Sequence, residues 1–349
     1  MNPLTVLRFG VDTLECTFKG EMNAEAATRI ATAKAHAKSC DGPVPVSIGD
    51  RVLFVQPKGA GFYPWLLTDR RILLPANGTN GGPPPCSIRF RADALATFGH
   101  RELYDEARKT ASILGFAFPN TLSRIDLAVD VQGVAFNDQV MDGLVCPATY
   151  RARHEDGEGL TYQFGKGDIV LRVYNKTAQL KAYPRKRGYS EVWETCVGYE
   201  RDVDVWRIEY QFRGQALSEF GCRDVHSSFD RLPGLYAAGL GWGQLREPTP
   251  DTNKKRWPIH PWWNHIESSL DVSRPVSRIR VQSRILEQDA LRHRLVGIVA
   301  AYGAHLGTSD YWSILETLST DTQIHIQQEG LDLERLVKAK QRQLMAGMD

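Results

Sequence analysis

The chain lacks the features by which many membrane, secreted and redox proteins are recognised. None of its apolar runs in 349 residues approaches the roughly 20 residues of a membrane-spanning helix. The N-terminal residues have neither the basic nor the apolar region of a signal peptide, so we expect a cytoplasmic protein that does not act on membranes. Six scattered cysteines form no Cys-x-x-Cys pair, which argues against a zinc cage or a thioredoxin-type site.

Several common catalytic motifs are missing as well. There is no Gly-x-x-x-x-Gly-Lys-Ser/Thr loop, so the sequence contains no P-loop ATPase site. A Gly-x-Ser-x-Gly motif, which would suggest a hydrolase, is absent too. The nine histidines include no His-apolar-His triplet, so the sequence does not predict a metal site built from histidine.

The sequence does contain three short segments in which charged and apolar residues alternate, at residues 124–130, 171–176 and 206–213. Side chains of a β-strand alternate between two faces, so each segment is predicted to be a strand with one polar face. The polar faces carry Arg124, Asp126, Asp130, Arg172, Tyr174, Lys176, Arg207, Glu209, Gln211 and Arg213. If the three strands share a sheet, one surface combines a nucleophile, acidic metal ligands and cations that bind phosphate.

Tyr174 is the candidate nucleophile of this surface. A tyrosine attacks DNA phosphate well when nearby cations favour its phenolate and stabilise the negative charge of the transition state. Arg172 and Lys176 lie two residues before and two residues after Tyr174, on the same strand face, and complete the predicted catalytic set. On these residues alone, an ordinary sheet tyrosine is the alternative interpretation.

The acidic residues are candidate ligands for Mg²⁺ or Mn²⁺, because hard cations prefer carboxylate oxygens. Asp126 and Asp130 lie four residues apart, roughly 13 Å along an extended strand, so they do not easily share one ion. We therefore predict Asp126 and Glu209 as ligands, with Asp130 as a supporting acid or as one that lies close to DNA. Surface ion pairs with the neighbouring arginines are the alternative.

Basic residues in and near the three segments are candidate contacts to a nucleic-acid backbone. They are Arg124, Lys166, Arg207, Arg213, Arg185, Lys186 and Arg187. The last three lie in a basic stretch at residues 181–188, for which a solvated loop is an equally good interpretation.

The hydrophobic pattern around these segments predicts an α+β protein. We expect a central, largely antiparallel sheet with helices on one face and a DNA-processing site on the other, followed by a helical C-terminal part. A helix is predicted at residues 23–38 with Asn23 as its N-cap, and another at 93–114. A Gly- and Pro-rich loop is predicted at 77–85, and a hairpin turn at 165–168.

Three regions follow from the composition along the chain. Residues 1–220 are predicted to form the catalytic domain, residues 221–270 a Gly- and Trp-rich connecting region, and residues 271–349 a helical C-terminal region.

In their order along the chain, the three segments resemble the core motifs of the trans-acting rolling-circle replication initiators of small plasmids and some filamentous phages. The motifs are Ser-Arg-Ile-Asp-Leu-Ala-Val-Asp at 123–130, Leu-Arg-Val-Tyr-Asn-Lys at 171–176 and Val-Trp-Arg-Ile-Glu-Tyr at 205–210. The resemblance covers roughly residues 85–215. It implies a metal-dependent DNA nickase and strand transferase of a bacterial host's cytoplasm.

The resemblance also implies residue roles. The family's nucleophilic tyrosine matches Tyr174, and its two motif acids match Asp126 and Glu209. Tyr174 would attack one phosphodiester of origin DNA, presented as a single strand or in a supercoiled or hairpin form. A 5′-phosphotyrosyl bond and a free 3′-OH would result. A host polymerase would extend that end, a host helicase would unwind the duplex, and a second copy of the chain is a further candidate partner.

One departure from the family pattern concerns Arg89, since plasmid members often have an acidic residue at the matching position. If that acid binds metal in the relatives, the third ligand here must differ. A second nucleophile is an open question, with Tyr162 and Tyr210 as candidates, although Tyr210 is predicted to face the core. The alternative functions are a relaxase of a conjugative element, a non-catalytic DNA-binding protein of the same fold, and a metal-dependent nuclease that uses water.

Overall fold

The chain forms two compact units, Met1–Ile279 and Arg280–Asp349, which we call the sheet unit and the C-terminal unit. The computed structural model describes residues 4–69, 72–76, 84–156, 159–182, 190–270 and 284–338. None of the helices in these ranges is both long enough and apolar enough to cross a membrane.

One large antiparallel sheet is the framework of the sheet unit. The strands, numbered along the chain, are β1 (Thr5–Gly20), β2 (Val44–Ile48), β3 (Arg51–Val55), β4 (Trp65–Thr68), β5 (Ile72–Ala76), β6 (Cys86–Phe90), β7 (Phe116–Gln132), β8 (Leu144–Val145), β9 (Arg151–Asp156), β10 (Gly159–Phe164), β11 (Ile169–Asn175), β12 (Trp206–Arg213) and β13 (Gln244–Leu245). Eleven of these described strands lie in the order β2-β3-β4-β5-β6-β1-β7-β12-β11-β10-β9, while β8 and β13 pair separately. The predicted antiparallel α+β fold is confirmed.

The three segments that alternate in sequence form neighbouring strands. They lie in β7, β12 and β11, which are adjacent in the sheet in that order. The long strand β1 pairs with β7 on one side and with β6 on the other, antiparallel to both. Strands β6 and β7 are therefore parallel to each other, and the helical connection between them crosses β1. The predicted shared sheet is thus present, and β1 brings a fourth strand to its polar surface.

Ten α-helices of the sheet unit are described. They are α1 (Ala24–Ser39), α2 (Ala92–Phe98), α3 (His100–Ile113), α4 (Asp138–Met141), α5 (Lys176–Ala182), α6 (Ser190–Glu194), α7 (Gly214–Glu219), α8 (Val225–Phe229), α9 (Leu232–Trp242) and α10 (Pro261–Ser269). The C-terminal unit contains α11 (Arg284–Leu306) and α12 (Tyr311–Gln328), in agreement with the predicted helical C-terminal part.

Local sequence signals explain where two of these helices begin and end. The Asn23 side chain accepts a hydrogen bond from the Ala26 amide at 2.8 Å, which confirms it as the N-cap of α1. The single helix predicted at 93–114 is wrong, because the structure has two helices there, α2 and α3. Gly99 separates them with φ of 80°, a left-handed conformation that ends a right-handed helix and that glycine adopts at little cost.

The apolar sides of the central strands form the main core together with helices from later in the chain. Helices α9 and α10 contribute Leu235, Leu240, Trp263 and Ile266 to it, all buried. Gly239 lies against the Tyr210 ring, where a Cβ atom would come within 2.8 Å, so glycine lets α9 approach the sheet closely. Residues 221–270, predicted as a connecting region, thus include helices that pack on the sheet.

A second, smaller apolar cluster lies at one end of the polar face. It contains Leu180 of α5, Trp193 of α6 and the nearby Val205, all buried. These helices follow β11 and cover part of the polar face. The predicted loop residues 77–83 and the basic residues Arg185, Lys186 and Arg187 lie outside the described part of the chain.

Candidate active site

The sheet register places the predicted site residues on one face. Tyr174 is opposite Arg207, which is opposite Asp130, and these three form one cross-strand row. Arg172 is opposite Glu209 in the next row. Opposite residues of an antiparallel pair share a face, so the tyrosine and both kinds of charge come together, as the alternation predicted.

Tyr174, Arg172 and Glu209 of these rows line a cavity of about 590 Å³. Its walls come from β1, β6, the start of α2, β7, β10, β11, α5 and β12. The lining residues are Asp12, Thr13, Arg89, Phe90, Arg91, Ala92, Asp93, Arg124, Asp126, Thr161, Arg172, Tyr174, Lys176, Gln179, Leu180 and Glu209. A cleft of this size that combines one tyrosine with several acids and cations is a candidate active site.

Tyr174 is buried, and its hydroxyl donates a hydrogen bond to Glu209 Oε2 at 3.0 Å. The Lys176 ammonium lies 3.5 Å from the same hydroxyl oxygen and 5.4 Å from the ring centroid. Burial and then the Glu209 carboxylate raise the pKa of Tyr174 well above its ordinary value. The sequence predicted that nearby cations favour the phenolate, but in the structure burial and Glu209 outweigh them. The site therefore holds a neutral tyrosine whose proton points at a carboxylate.

The two flanking cations have different surroundings. Arg172 donates to Glu209 Oε1 at 3.0 Å and to the side chains of Gln163 and Gln211, both at 3.2 Å. Its guanidinium thus orients the acceptor of the tyrosine proton. Lys176 is buried and donates to Gln179 at 2.8 Å. Burial and then the charge of Arg207 lower the pKa of Lys176 to about 8.

Asp126 is a buried carboxylate in an unusually negative environment. Arg124 donates to its Oδ1 at 2.8 Å and also bonds its Oδ2. Burial raises the pKa of Asp126 to about 7 against these hydrogen bonds, and the charges of Glu209 and Asp12 add to the rise. Three carboxylates on three adjacent strands therefore act on one another across the cavity floor.

Asp12 is a site residue that the sequence analysis missed. It lies on β1, where the pairing with β7 shifts register between Val11 and Thr13, and Thr13 is opposite Asp126. The irregularity brings Asp12 into the cavity, where its carboxylate accepts a hydrogen bond from Arg207. Alternation along β1 alone would not have found it, because its position in the cavity depends on this irregularity in the pairing.

Arg207 and Asp130 form a buried ion pair. Arg207 donates to Asp130 Oδ1 at 2.6 Å and to Oδ2 at 2.7 Å, and the Trp193 indole donates to Oδ2 at 2.8 Å. Arg207 is 0% exposed, so its side chain is out of reach of a DNA backbone. Both carboxylate oxygens of Asp130 accept hydrogen bonds from these donors. Asp130 thereby fixes the position of Arg207 in the row that contains Tyr174.

The other predicted DNA contacts are spread more widely. Arg124 and Arg213 are opposite each other on β7 and β12, and the Arg213 side chain is exposed. Lys166, in the predicted hairpin turn, lies 5.4 Å from the Tyr150 ring and borders a separate depression. Of these predicted contacts, Arg124 and Arg213 are therefore closer to the cavity than Lys166 is.

The two tyrosines considered as second nucleophiles point away from the cavity. Tyr162 is opposite Val173 on the apolar side and donates to Asp138 at 2.7 Å. Tyr210 faces the core, as predicted, and donates to the Gly243 carbonyl at 2.7 Å. Neither shares the face of Tyr174.

The acidic residues of the cavity suit a hard divalent cation. Across the described ranges, His, Cys, Asp and Glu side chains form no group of three or more that could hold a metal ion. Mg²⁺ is commonly held by only one or two carboxylates, with water and substrate phosphates completing its shell. Asp126 and Glu209 offer two such carboxylates. Burial is the largest cause of the raised pKa of Asp126, and the negative charge of Glu209 adds to it, so a cation beside both groups would relieve the second cause. The residues therefore fit Mg²⁺ or Mn²⁺.

Comparison with known proteins gives limited likenesses. No family model matches the chain. It is similar to uncharacterized protein ORF430 of Pseudomonas phage Pf1, with 26% identity over 148 residues, 32% of this chain and 34% of that protein. The match thus spans about a third of the length of that relative.

Among solved structures, the chain is similar to the rolling circle replication initiator protein from Geobacillus stearothermophilus. The identity is 19%, the TM-score is 0.49, and the match covers 78% of this chain and 99% of the other.

Proposed function

We propose that the protein initiates rolling-circle replication by cutting one strand of origin DNA with Tyr174 as the nucleophile. The observation that carries this proposal is the hydrogen bond from the buried Tyr174 hydroxyl to Glu209, on the floor of a cavity lined with arginines and lysine. The order of the three strand motifs along the chain supports the same conclusion.

The proposed reaction is a transesterification. The Tyr174 oxygen attacks the phosphorus, and the bond from phosphorus to the 3′-oxygen of the preceding nucleotide breaks. A 5′-phosphotyrosyl bond forms, and the 3′-oxygen leaves and takes up a proton from water. The tyrosine proton passes to Glu209 Oε2, which already accepts it at 3.0 Å. A host polymerase would then extend the 3′-OH while a host helicase unwinds the duplex.

The surrounding residues prepare this step. Because burial and Glu209 raise the pKa of Tyr174, its hydroxyl stays protonated until substrate arrives. Arg172 fixes Glu209 as the proton acceptor, and Lys176 lies where it stabilises negative charge that develops on the tyrosine oxygen. Asp126 would hold the divalent cation, together with Glu209 as long as its carboxylate is ionised, and the cation would polarise the scissile phosphate.

The test uses purified protein, Mn²⁺ or Mg²⁺, and labelled single-stranded oligonucleotides that tile the origin of the element that encodes the protein. A denaturing gel should show a protein–DNA adduct that EDTA abolishes. Tyr174→Phe should lose the adduct and keep DNA binding, because it removes only the attacking oxygen. Tyr162→Phe is the matched control and should form the adduct, since Tyr162 lies on the other face.

Three outcomes would overturn the proposal. Specific binding without cleavage by any tile would indicate a non-catalytic DNA-binding protein. Cleavage without an adduct, retained by Tyr174→Phe, would indicate a nuclease that uses water. An adduct formed only at a transfer origin would indicate a relaxase of a conjugative element.

A further inference from the structure

A row of charged residues crosses the polar face at some distance from the tyrosine. Arg89 on β6 is opposite Glu15 on β1, Glu15 is opposite Arg124 on β7, and Arg124 is opposite Arg213 on β12. Opposite residues point to the same face, so four adjacent strands present three arginines and one glutamate. At about 4.8 Å per strand spacing, the row is roughly 14 Å long.

Carboxylates neutralise only one end of this row. Glu15 accepts a hydrogen bond from Arg89 at 2.7 Å and lies 3.6 Å from Arg124, which also pairs with Asp126. Arg213 is exposed, and among the residues that the structure describes its side chain has neither an ion pair nor a hydrogen bond. Like charges directly opposite each other on neighbouring strands are unfavourable. The pair of Arg124 and Arg213 therefore favours an anion placed between the two guanidinium groups.

The position of Arg213 separates this anion from the attacked phosphate. Arg207 is opposite Tyr174, and Arg213 lies six residues further along β12. This distance is about 20 Å along an extended strand. A single DNA strand that crosses the face from Tyr174 towards the end of β12 would bring a different phosphate to the row.

We propose that Arg213, with Arg124 beside it, binds a backbone phosphate of the DNA strand away from the scissile bond. The guanidinium fork matches phosphate geometry and can donate two parallel hydrogen bonds. The contact positions the strand across the face and carries no sequence information of its own. This inference rests on the proposed function, because it assigns part of the substrate of that site.

The test measures DNA binding in the Tyr174→Phe background, in which the strand stays intact. Fluorescence anisotropy gives the affinity for the origin single strand over a range of salt concentrations. Each phosphate contact to a single strand contributes about 0.7 to the slope of log K against log[salt]. We expect Arg213→Gln to weaken binding and to reduce that slope by about 0.7, whereas Arg213→Lys should keep most of the slope.

Arg29→Gln is the matched control, because it also removes one arginine. Arg29 lies on α1, where its partly exposed side chain pairs with Glu25 at 3.9 Å, and it does not line the cavity. We expect its salt slope to equal that of the parent. The inference would be overturned if Arg213→Gln had the same salt slope as the parent. It would also be overturned if Arg29→Gln and Arg213→Gln reduced the salt slope equally.

A second measurement identifies the phosphate. Neutral methylphosphonate linkages are introduced one at a time along the oligonucleotide. At one linkage other than the cleavage site, the methylphosphonate should weaken DNA binding by the Tyr174→Phe parent. It should not weaken binding by Arg213→Gln any further, because the two changes remove the same contact. Additive effects at every linkage would overturn the inference. If the parent binds no origin strand at all, the proposed function itself fails, which is a distinguishable result.

Discussion

Removal of the Asp130 charge should destabilise the sheet unit far more than loss of a surface ion pair. Asp130 accepts two hydrogen bonds from Arg207 and one from Trp193, and the side chains of the ion pair are 1% and 2% exposed. Breaking a buried pair by removing one partner costs about 3–5 kcal/mol, because a charge is left buried without compensation. Arg207 keeps its contact to Asp12, so we expect Asp130→Asn to cost about 3 kcal/mol.

The assay is chemical denaturation followed by circular dichroism, which gives the free energy of unfolding. Arg201→Ala is the control, since Arg201 pairs with Glu194 at the surface with side chains 78% and 50% exposed. Its loss should cost about 0–1 kcal/mol. The double variant Asp130→Asn/Arg207→Gln should be less destabilised than the sum of the two single variants, because it removes both charges of the buried pair and leaves only the less buried Asp12 carboxylate without Arg207. A cost for Asp130→Asn equal to that of Arg201→Ala would refute this reasoning.

Two further predictions concern titration of the site. Lys176 is positively charged below its pKa of about 8, so DNA affinity should fall as pH rises through that value. Lys176→Arg should remove this fall in affinity, because arginine stays charged. The same fall in Lys176→Arg would contradict the assignment to Lys176. Glu209→Gln removes the carboxylate that helps raise the pKa of Tyr174, so the Tyr174 signal in NMR spectra of ¹³C-labelled tyrosine should titrate at lower pH than in the parent. A higher or unchanged titration point would argue against the electrostatic role of Glu209.

The alternation of residue types was enough to predict which strands share the polar face. It works because successive side chains of a strand must point to opposite sides, whatever the strand pairs with. Tyr174, Glu209 and Asp126 were therefore assigned to the correct face from the sequence alone. The same argument placed Tyr210 in the core.

Features that depend on pairing and burial could not be obtained in this way. Alternation gives the face of Arg207 but not the depth at which it lies, and the cover supplied by Trp193 comes from a distant helix. The sign of the pKa shift of Tyr174 depends on burial, which the sequence does not report. Asp12 enters the cavity through an irregularity in the pairing of β1 with β7, and neither strand alone reveals it.

The most direct test of the proposed function is to identify the residue that becomes linked to DNA. The protein is incubated with the cleaved origin oligonucleotide and a divalent cation, digested with protease and nuclease, and mapped by mass spectrometry. We predict a nucleotide attached through its 5′-phosphate to the peptide that contains Tyr174. A nucleotide on another residue, or cleaved DNA with no modified peptide, would contradict the proposal.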